Sequence, residues 1–458
     1  MPHNLQGALR DGRMDISPTA KTRRQVPLSS LTNGTPREIL RLSRFSALSS
    51  FKHRNFTLFF FGQVISVAGT WMQTVAQSYL VLKITKSGVD LGLLLAIRTA
   101  PVMLFATVGG LIVDRFNRIN ILYLTNTCSG ILCAVLAWDV IAGHPTIGFI
   151  YLIALGLGIV NTVDNPARQV ILSDLVPRDD LTNAVSLNSV MTNGGRILGP
   201  AVAGGVIALF GQGTCFALNA ASYLVVLLSL FLMRRHELQI IATSQREKGQ
   251  IRAGVRYVLS RADLVIPLAL LFVAGTLVWE FAVTIPLLAD DTFHGGATVY
   301  GYLFALQGLG AVVGGFITAA RPNATNKGLG WAAIGCGLAC FLAGLAPTLT
   351  FEYIIMIGVG YGVVAFNSIA KSQLQMRASP EMRGRVMAIW TLAWVGTTPI
   401  GGPLLGWIGQ HFGARWSWYV SGVPLLVLAI LVMPALIRLD RKAQHAPNTE
   451  NTKVIESP

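Results

Sequence analysis

Arg98, Arg196, Asp164, Arg168 and Glu280 stand within or at the edge of long apolar runs, and no residues of this chain are better placed to do chemistry. A charge at hydrocarbon depth is costly, and by default it marks an ion or substrate path. Glu280 reads as the only acid well inside a run. A carboxyl taken out of water can bind and release a proton, which makes Glu280 the candidate for coupling or substrate contact. Arg98, Arg196 and Asp164 join it as candidates for the same work. Counted inward at about 1.5 Å per residue, Arg98 and Glu280 fall roughly 10–14 Å below one boundary, in opposite halves of the chain. They could pair across a cavity or share one substrate. Alternatively each bonds within its own half, as a clamp on backbone carbonyls would. Gln63, Gln73, Gln77, Trp71 and Trp279 are weaker candidates to line such a cavity.

Other chemistries lack their residues. The phosphate-binding pattern G-x-x-x-x-G-K-[ST] does not occur, which excludes ATP hydrolysis by that loop. No two histidines stand at metal-ligand spacing. Cys128, Cys133, Cys215, Cys336 and Cys340 lie in or beside apolar runs without a C-x-x-C pair. No metal, cofactor or disulfide is expected.

The elements that position the charges must be membrane helices. Of 458 residues, 52% are hydrophobic and 12% charged, about half the roughly 25% usual in soluble domains. Mean hydropathy is +0.56. This composition excludes a soluble enzyme, a nucleic-acid-binding domain and a disordered scaffold. Apolar segments predict twelve helices, at 56–82, 91–113, 119–141, 146–167, 184–209, 214–234, 264–289, 298–320, 328–348, 351–372, 384–409 and 416–438. Open sheets would leave edge groups unsatisfied in lipid, and the segments are too long for barrel strands. The fold class is therefore an all-α membrane protein of two six-helix bundles. Residues 1–54 read as a basic disordered tail, 55–234 as the first bundle, 264–438 as the second and 439–458 as a second tail. The linker 235–263 holds an amphipathic stretch, with Ile251, Val255, Val258 and Leu259 on one face; that pattern suits an interfacial helix.

The net charge of +15 follows from topology rather than from a nucleic-acid partner. With the N-terminus inside, 31 of the 36 Lys and Arg fall on the cytoplasmic side and 3 outside. This asymmetry places both termini in the cytoplasm. The halves also echo one another at an offset of 203 residues: Ala167-Arg168, Pro177, Ile197 and Gly199-Pro200 recur as Ala370-Lys371, Pro380, Ile400 and Gly402-Pro403. Paired six-helix halves are an architecture of secondary transporters, with the substrate bound between them.

Two motifs stand on these helices. After the second segment, Gly110, Asp114, Arg115 and Arg118 crowd a tight turn, with Asn117 able to take left-handed geometry. In the fifth, Gly195, Arg196, Gly199, Pro200, Gly204 and Gly205 combine close packing with a missing amide, a bending motif. The loop resembles the signature loop of the major facilitator superfamily, with Asn117 where that pattern has Gly. The resemblance implies a conformational latch of Gly110, Asp114, Arg115 and Arg118 with Asp164 or Arg168 at the fourth segment and Arg383 or Arg385 at the eleventh. The fifth segment is similar to the antiporter motif of drug-exporting facilitators, here with three residues between Gly-Pro and Gly-Gly. The run from Asp164-Asn165-Pro166-Ala167-Arg168 through Gly199-Pro200, with Arg383-Gly384-Arg385, resembles the branch of enterobactin exporters and macrolide-efflux permeases over about residues 50 to 440.

That resemblance implies a proton-linked exporter of a small amphipathic compound, working by alternating access as a monomer in the bacterial inner membrane. Small-molecule substrate, protons and the lipid bilayer are then its partners. The fold also serves uptake symport, which the sequence separates poorly. A non-transporting sensor or assembly partner is the third reading, disfavoured by the retained Arg98, Arg196 and Glu280. The orientation is checked by single cysteines at Ser29 and Gln245. A membrane-impermeant thiol reagent on intact cells should label neither, and efficient labelling of both would invert the topology.

Overall fold

The computed structural model describes residues 48–238, 250–320 and 325–444. By its contacts the chain divides into Met1–Ser49 and Ser50–Pro458, and the second of these is the helical body. Almost all of the expected basic tail lies outside the described residues, as do much of the linker and the last residues of the second tail.

The first six predicted segments are six helices: α1 (Arg54–Thr85), α2 (Gly88–Arg115), α3 (Arg118–Ile141), α4 (Ile147–Leu175), α5 (Leu181–Phe210) and α6 (Gln212–Phe231). The linker contributes α7 (Gln250–Leu259). The second half is α8 (Ala262–Leu277), α9 (Phe281–Leu287), α10 (Gly296–Ala319), α11 (Asn326–Leu345), α12 (Leu349–Arg377), α13 (Pro380–Trp394), α14 (Thr398–Phe412) and α15 (Ala414–Gln444). Their ends are set locally. The side chains of Ser87, Asn117, Thr146 and Thr325 accept from exposed amides in the first turns of α2, α3, α4 and α11, as N-caps do. Gly211 and Gly413, at φ of 81° and 99°, make one-residue turns into α6 and α15.

Among the described residues ten helices are long and apolar enough to cross a membrane, and α8 with α9 makes an eleventh bent by 44°. The seventh predicted segment is thus one span broken in two. The eleventh appears as α13 and α14, of fifteen residues each, each short of the roughly 20 needed to span alone. Both breaks lie near the middle of their segments.

Turns after α1, α3, α5, α11 and α14 lie at one end of the bundle, here the far end. Arg54 and Gln444 lie at the other, the tail end. The halves join along two seams, α2 on α14 and α5 on α10. Glycines make both possible. A Cβ on Gly88 or Gly92 would strike the carbonyl of Gly406 or Gly402, and one on Gly301 would come within 2.8 Å of Pro200 O. Such small-residue contacts let helices approach closely where lipid supplies no hydrophobic drive. At the far end, Gln410 Oε1 accepts from Ser87 Oγ at 2.9 Å and from Val89 N at 3.2 Å. At mid-bundle a further hydrogen bond joins the halves, from Arg196 to Gln307.

The linker helix belongs to the second half. Gly254 packs on Arg385, and Tyr257 Oη accepts from Ser379 N at 3.2 Å and from Arg261 Nη1 at 2.7 Å. These donors hold the Tyr257 phenol below its ordinary pKa.

The far-end seam is testable. Cysteines at Ser87 and Gln410 should cross-link readily in an otherwise native chain. Adding Gly406→Leu, whose side chain would meet the Gly88 carbonyl, should suppress the cross-link severalfold. Unchanged cross-linking would show that the seam does not depend on bare glycine.

Candidate transport site

The two helix breaks meet. In the eleventh segment Pro399 has no amide for the Val395 carbonyl and its ring crowds that group, so the chain leaves the helix at residues 395–397 and re-enters at Thr398. In the seventh, the chain leaves α8 after Leu277, and Glu280 (φ −83°, ψ 39°) caps α9. Gly275 lies against the Ala393 and Trp394 carbonyls, so the segments approach closely. The Trp279 and Trp394 rings stand 5.1 Å apart at the junction.

Glu280 is 0% exposed. Neither carboxyl oxygen closes a hydrogen bond of good geometry or meets a base, and the Thr398 hydroxyl lies beside it as a neutral donor. Bare backbone makes its room: a Cβ on Gly401 would come within 3.3 Å of Glu280 Cγ, and one on Gly402 within 3.6 Å of Oε2. The carboxyl also lies near the N-terminus of α14, where a negative charge is favoured. It therefore sits between discontinuous helices, as coupling-ion and substrate sites do in many transporters.

Of the readings open for Arg98 and Glu280, the direct pair does not form in this structure, and Arg98 bonds within its own half. Arg98 Nη1 donates to Thr74 Oγ1 at 3.2 Å within the first half. Equal depth placed the two at one height, but helix rotation turns Arg98 toward α1. Arg196 is the charge that reaches the other half. Its guanidinium lies 4.6 Å from the Trp279 ring centroid and 5.5 Å from that of Trp71, and its Nη2 donates to Gln307 Oε1 at 3.3 Å. It is 6% exposed. Trp71 and Trp279 thus earn their place as candidates. Gln73 instead accepts from Cys133 and Asn219 inside the first half.

Asp164, the fourth coupling candidate, is absorbed into the first bundle. It pairs with Arg168 one turn on and accepts from Thr125 Oγ1 at 2.7 Å and Asn126 Nδ2 at 3.4 Å. Arg168 also donates to Gln63 Oε1 at 3.1 Å. The offset of 203 puts Asn367 and Lys371 at the matching places. There Asn367 accepts from Trp390 Nε1 at 3.1 Å and Lys371 lies 4.8 Å from the Trp390 ring. The second half keeps the base and has lost the acid.

The latch loop is anchored differently from the expected pattern. Arg118 pairs with Asp174 on α4 at 2.5 Å, with side chains 11% and 6% exposed. Asp114, Arg115 and Arg383 are exposed, and the structure does not bring them to Asp164, Arg168 or Arg385. Arg385 Nη1 contacts Met382 Sδ. Asp174 was legible as an i+10 acid on the same helix as Asp164, but it lies past the predicted end of the fourth segment. Sequence reasoning missed Glu352, a second fully buried acid: it is 0% exposed in the first turn of α12, and neither carboxyl oxygen closes a hydrogen bond. Position near a predicted helix end hid it.

The bending motif packs. α5 runs unbroken through Pro200. Gly195 and Gly199 receive Val67, Ala68 and Trp71 of α1, while Gly204 faces Ala297 and Thr298 of α10.

Spans in two joined halves, with broken helices at the joint, define a secondary transporter of the major facilitator fold. The chain belongs to the transmembrane secretion effector family, whose description matches residues 45–457. It is 26% identical to the enterobactin exporter EntS of Escherichia coli O1:K1 / APEC over 406 residues, covering 86% of this chain and 95% of the relative. The enterobactin exporter of Shigella boydii serotype 18 matches equally. Among solved structures, a bacterial homolog of the human lysosomal transporter Spinster, inward-facing and occupied, superposes with a TM-score of 0.67 at 16% identity, covering 86% of this chain and 98% of its own. A POT family transporter in complex with a thioalcohol-conjugated peptide gives 0.66 at 13% identity, covering 83% and 95%.

The two acids of the latch region separate structure from switching. Asp174→Asn should lower stability by about 3 kcal/mol, because it leaves Arg118 buried with a weakened partner. Asp114→Asn should leave the melting temperature unchanged while slowing transport. Equal melting temperatures for the two variants would remove Arg118–Asp174 as the anchor.

Proposed function

We propose that the chain exports a small amphipathic compound, siderophore- or drug-like, in exchange for protons, by alternating access between its halves. The observation that carries this reading is Glu280, a fully buried carboxyl with no charged partner at the junction of two broken helices. A carboxyl so placed holds a proton while dry and yields it when water or a cation arrives. The seams make it switchable, because α14 both packs on Glu280 and forms the far-end contact with α2. Opening that contact would hydrate Glu280 from the far side. Closing it again would carry the proton across, and substrate arriving from the tail side would release it.

On this reading the tail end faces the cytoplasm of a bacterial inner membrane, in keeping with the distribution of Lys and Arg, and one chain is the working unit. The similarity to enterobactin exporters supports export over uptake. Everted membrane vesicles energised by respiration test it, with a pH-gradient dye as readout. Enterobactin or erythromycin should partly collapse the gradient with the native chain and fail to do so with Glu280→Gln, which should still bind the compound. Silence from both compounds with the native chain would remove siderophore or drug export. An undiminished response from Glu280→Gln would remove Glu280 as the coupling carboxyl.

A further inference from the structure

Other arginines inside the bundle have partners within their own half. Arg168 and Arg118 hold acids, Arg98 donates to the Thr74 hydroxyl, and Arg415 donates to the Gly344 and Ala346 carbonyls. Arg196 has neither acid nor carbonyl. Its one hydrogen bond crosses to a neutral amide oxygen, and its Nε–H has no acceptor. Gln307, 0% exposed, likewise leaves Nε2 without an acceptor. Two sets of unused N–H donors thus adjoin one another at mid-bundle, and no carboxylate of the described residues lies within ion-pair distance of Arg196. A buried guanidinium with spare donors is built to take a planar, two-oxygen anion.

The walls are aromatic. Trp279 faces the guanidinium from the second half and Trp71 from the first. Phe304 lies 5.9 Å from Trp71, and Trp394 lies 5.1 Å from Trp279. The two indoles that cover Arg196 ride on opposite halves, so rocking the halves apart opens a flat slot beside the charge. We propose that Arg196 and Gln307 bind the anionic group of the substrate while Trp71 and Trp279 stack on an attached flat ring, so that the transported compounds include aryl carboxylates or related ring-borne anions. This rests on the transport reading but not on proton coupling.

Isothermal titration of the full chain in nanodiscs, without a pH gradient, tests it with 2-naphthoate and its neutral isostere 2-naphthamide. The native chain should bind naphthoate at least about tenfold more tightly than the amide, the margin of one charge-assisted contact. Arg196→Gln should erase that preference, and Arg196→Lys, which loses the planar fork, and Gln307→Ala should each reduce it. The Lys variant keeps the charge and the Ala variant keeps Arg196, so the test survives if the Gln variant does not fold. No naphthoate binding to the native chain, equal binding of the two probes, or a preference untouched in all three variants would overturn the proposal. Because no gradient is present, a failure of Glu280→Gln to affect coupling would leave this result standing, and the reverse holds as well.

Discussion

A charge moved from water into hydrocarbon must find a counter-charge, a dipole, a π-face or a proton, and the interior of this molecule is arranged around that demand. The first bundle answers with pairing. Asp164 and Arg168 close on each other, and Thr125, Asn126 and Gln63 add hydrogen bonds to the pair. Such a network ties α1, α3 and α4 into one rigid body. At the joint between halves the answer is different: Arg196 lies between indoles, and Glu280 stands in a pocket of bare glycine backbone. Paired charges knit the first bundle together, whereas Arg196 and Glu280 lie without a counter-charge where the halves meet.

Backbone follows the same division. Spans in the first half run whole, even through Pro101, Pro166 and Pro200. The second half concentrates its irregularity at 278–280 and 395–397, and brings both sites together through Gly275 and the two indoles. Non-helical backbone at membrane depth is tolerated only inside protein or along a cavity. The close glycine seams then give the halves a joint with little side-chain interdigitation to undo.

Much of this is legible in the amino-acid order alone. The all-helical membrane class follows from hydropathy, because lipid imposes length and polarity on every span, and ten single helices and one bent pair meet that demand among the described residues. The offset repeat correctly singles out Gly199 and Gly402, both of which serve as packing faces. Rotation about each helix is not legible. It decides that Arg98 meets Thr74 rather than Glu280, and that Arg118 rather than Asp114 anchors the latch loop. Segment ends are blurred too, which hides Asp174 and Glu352. The break at 395–397 has a visible cause in Pro399, but an unbroken apolar run masks a kink when only hydropathy is read.

The contact between Trp279 and Trp394 makes the joint optically active. Two indoles 5.1 Å apart and inclined at 51° share their electronic excitation and produce a signed couplet in far-ultraviolet circular dichroism that isolated indoles lack. The couplet's sign and size depend on the relative orientation of α8 and α13, the helices that end at the two breaks. A change at this junction is therefore visible without labels, as a change in the chirality of absorbed light.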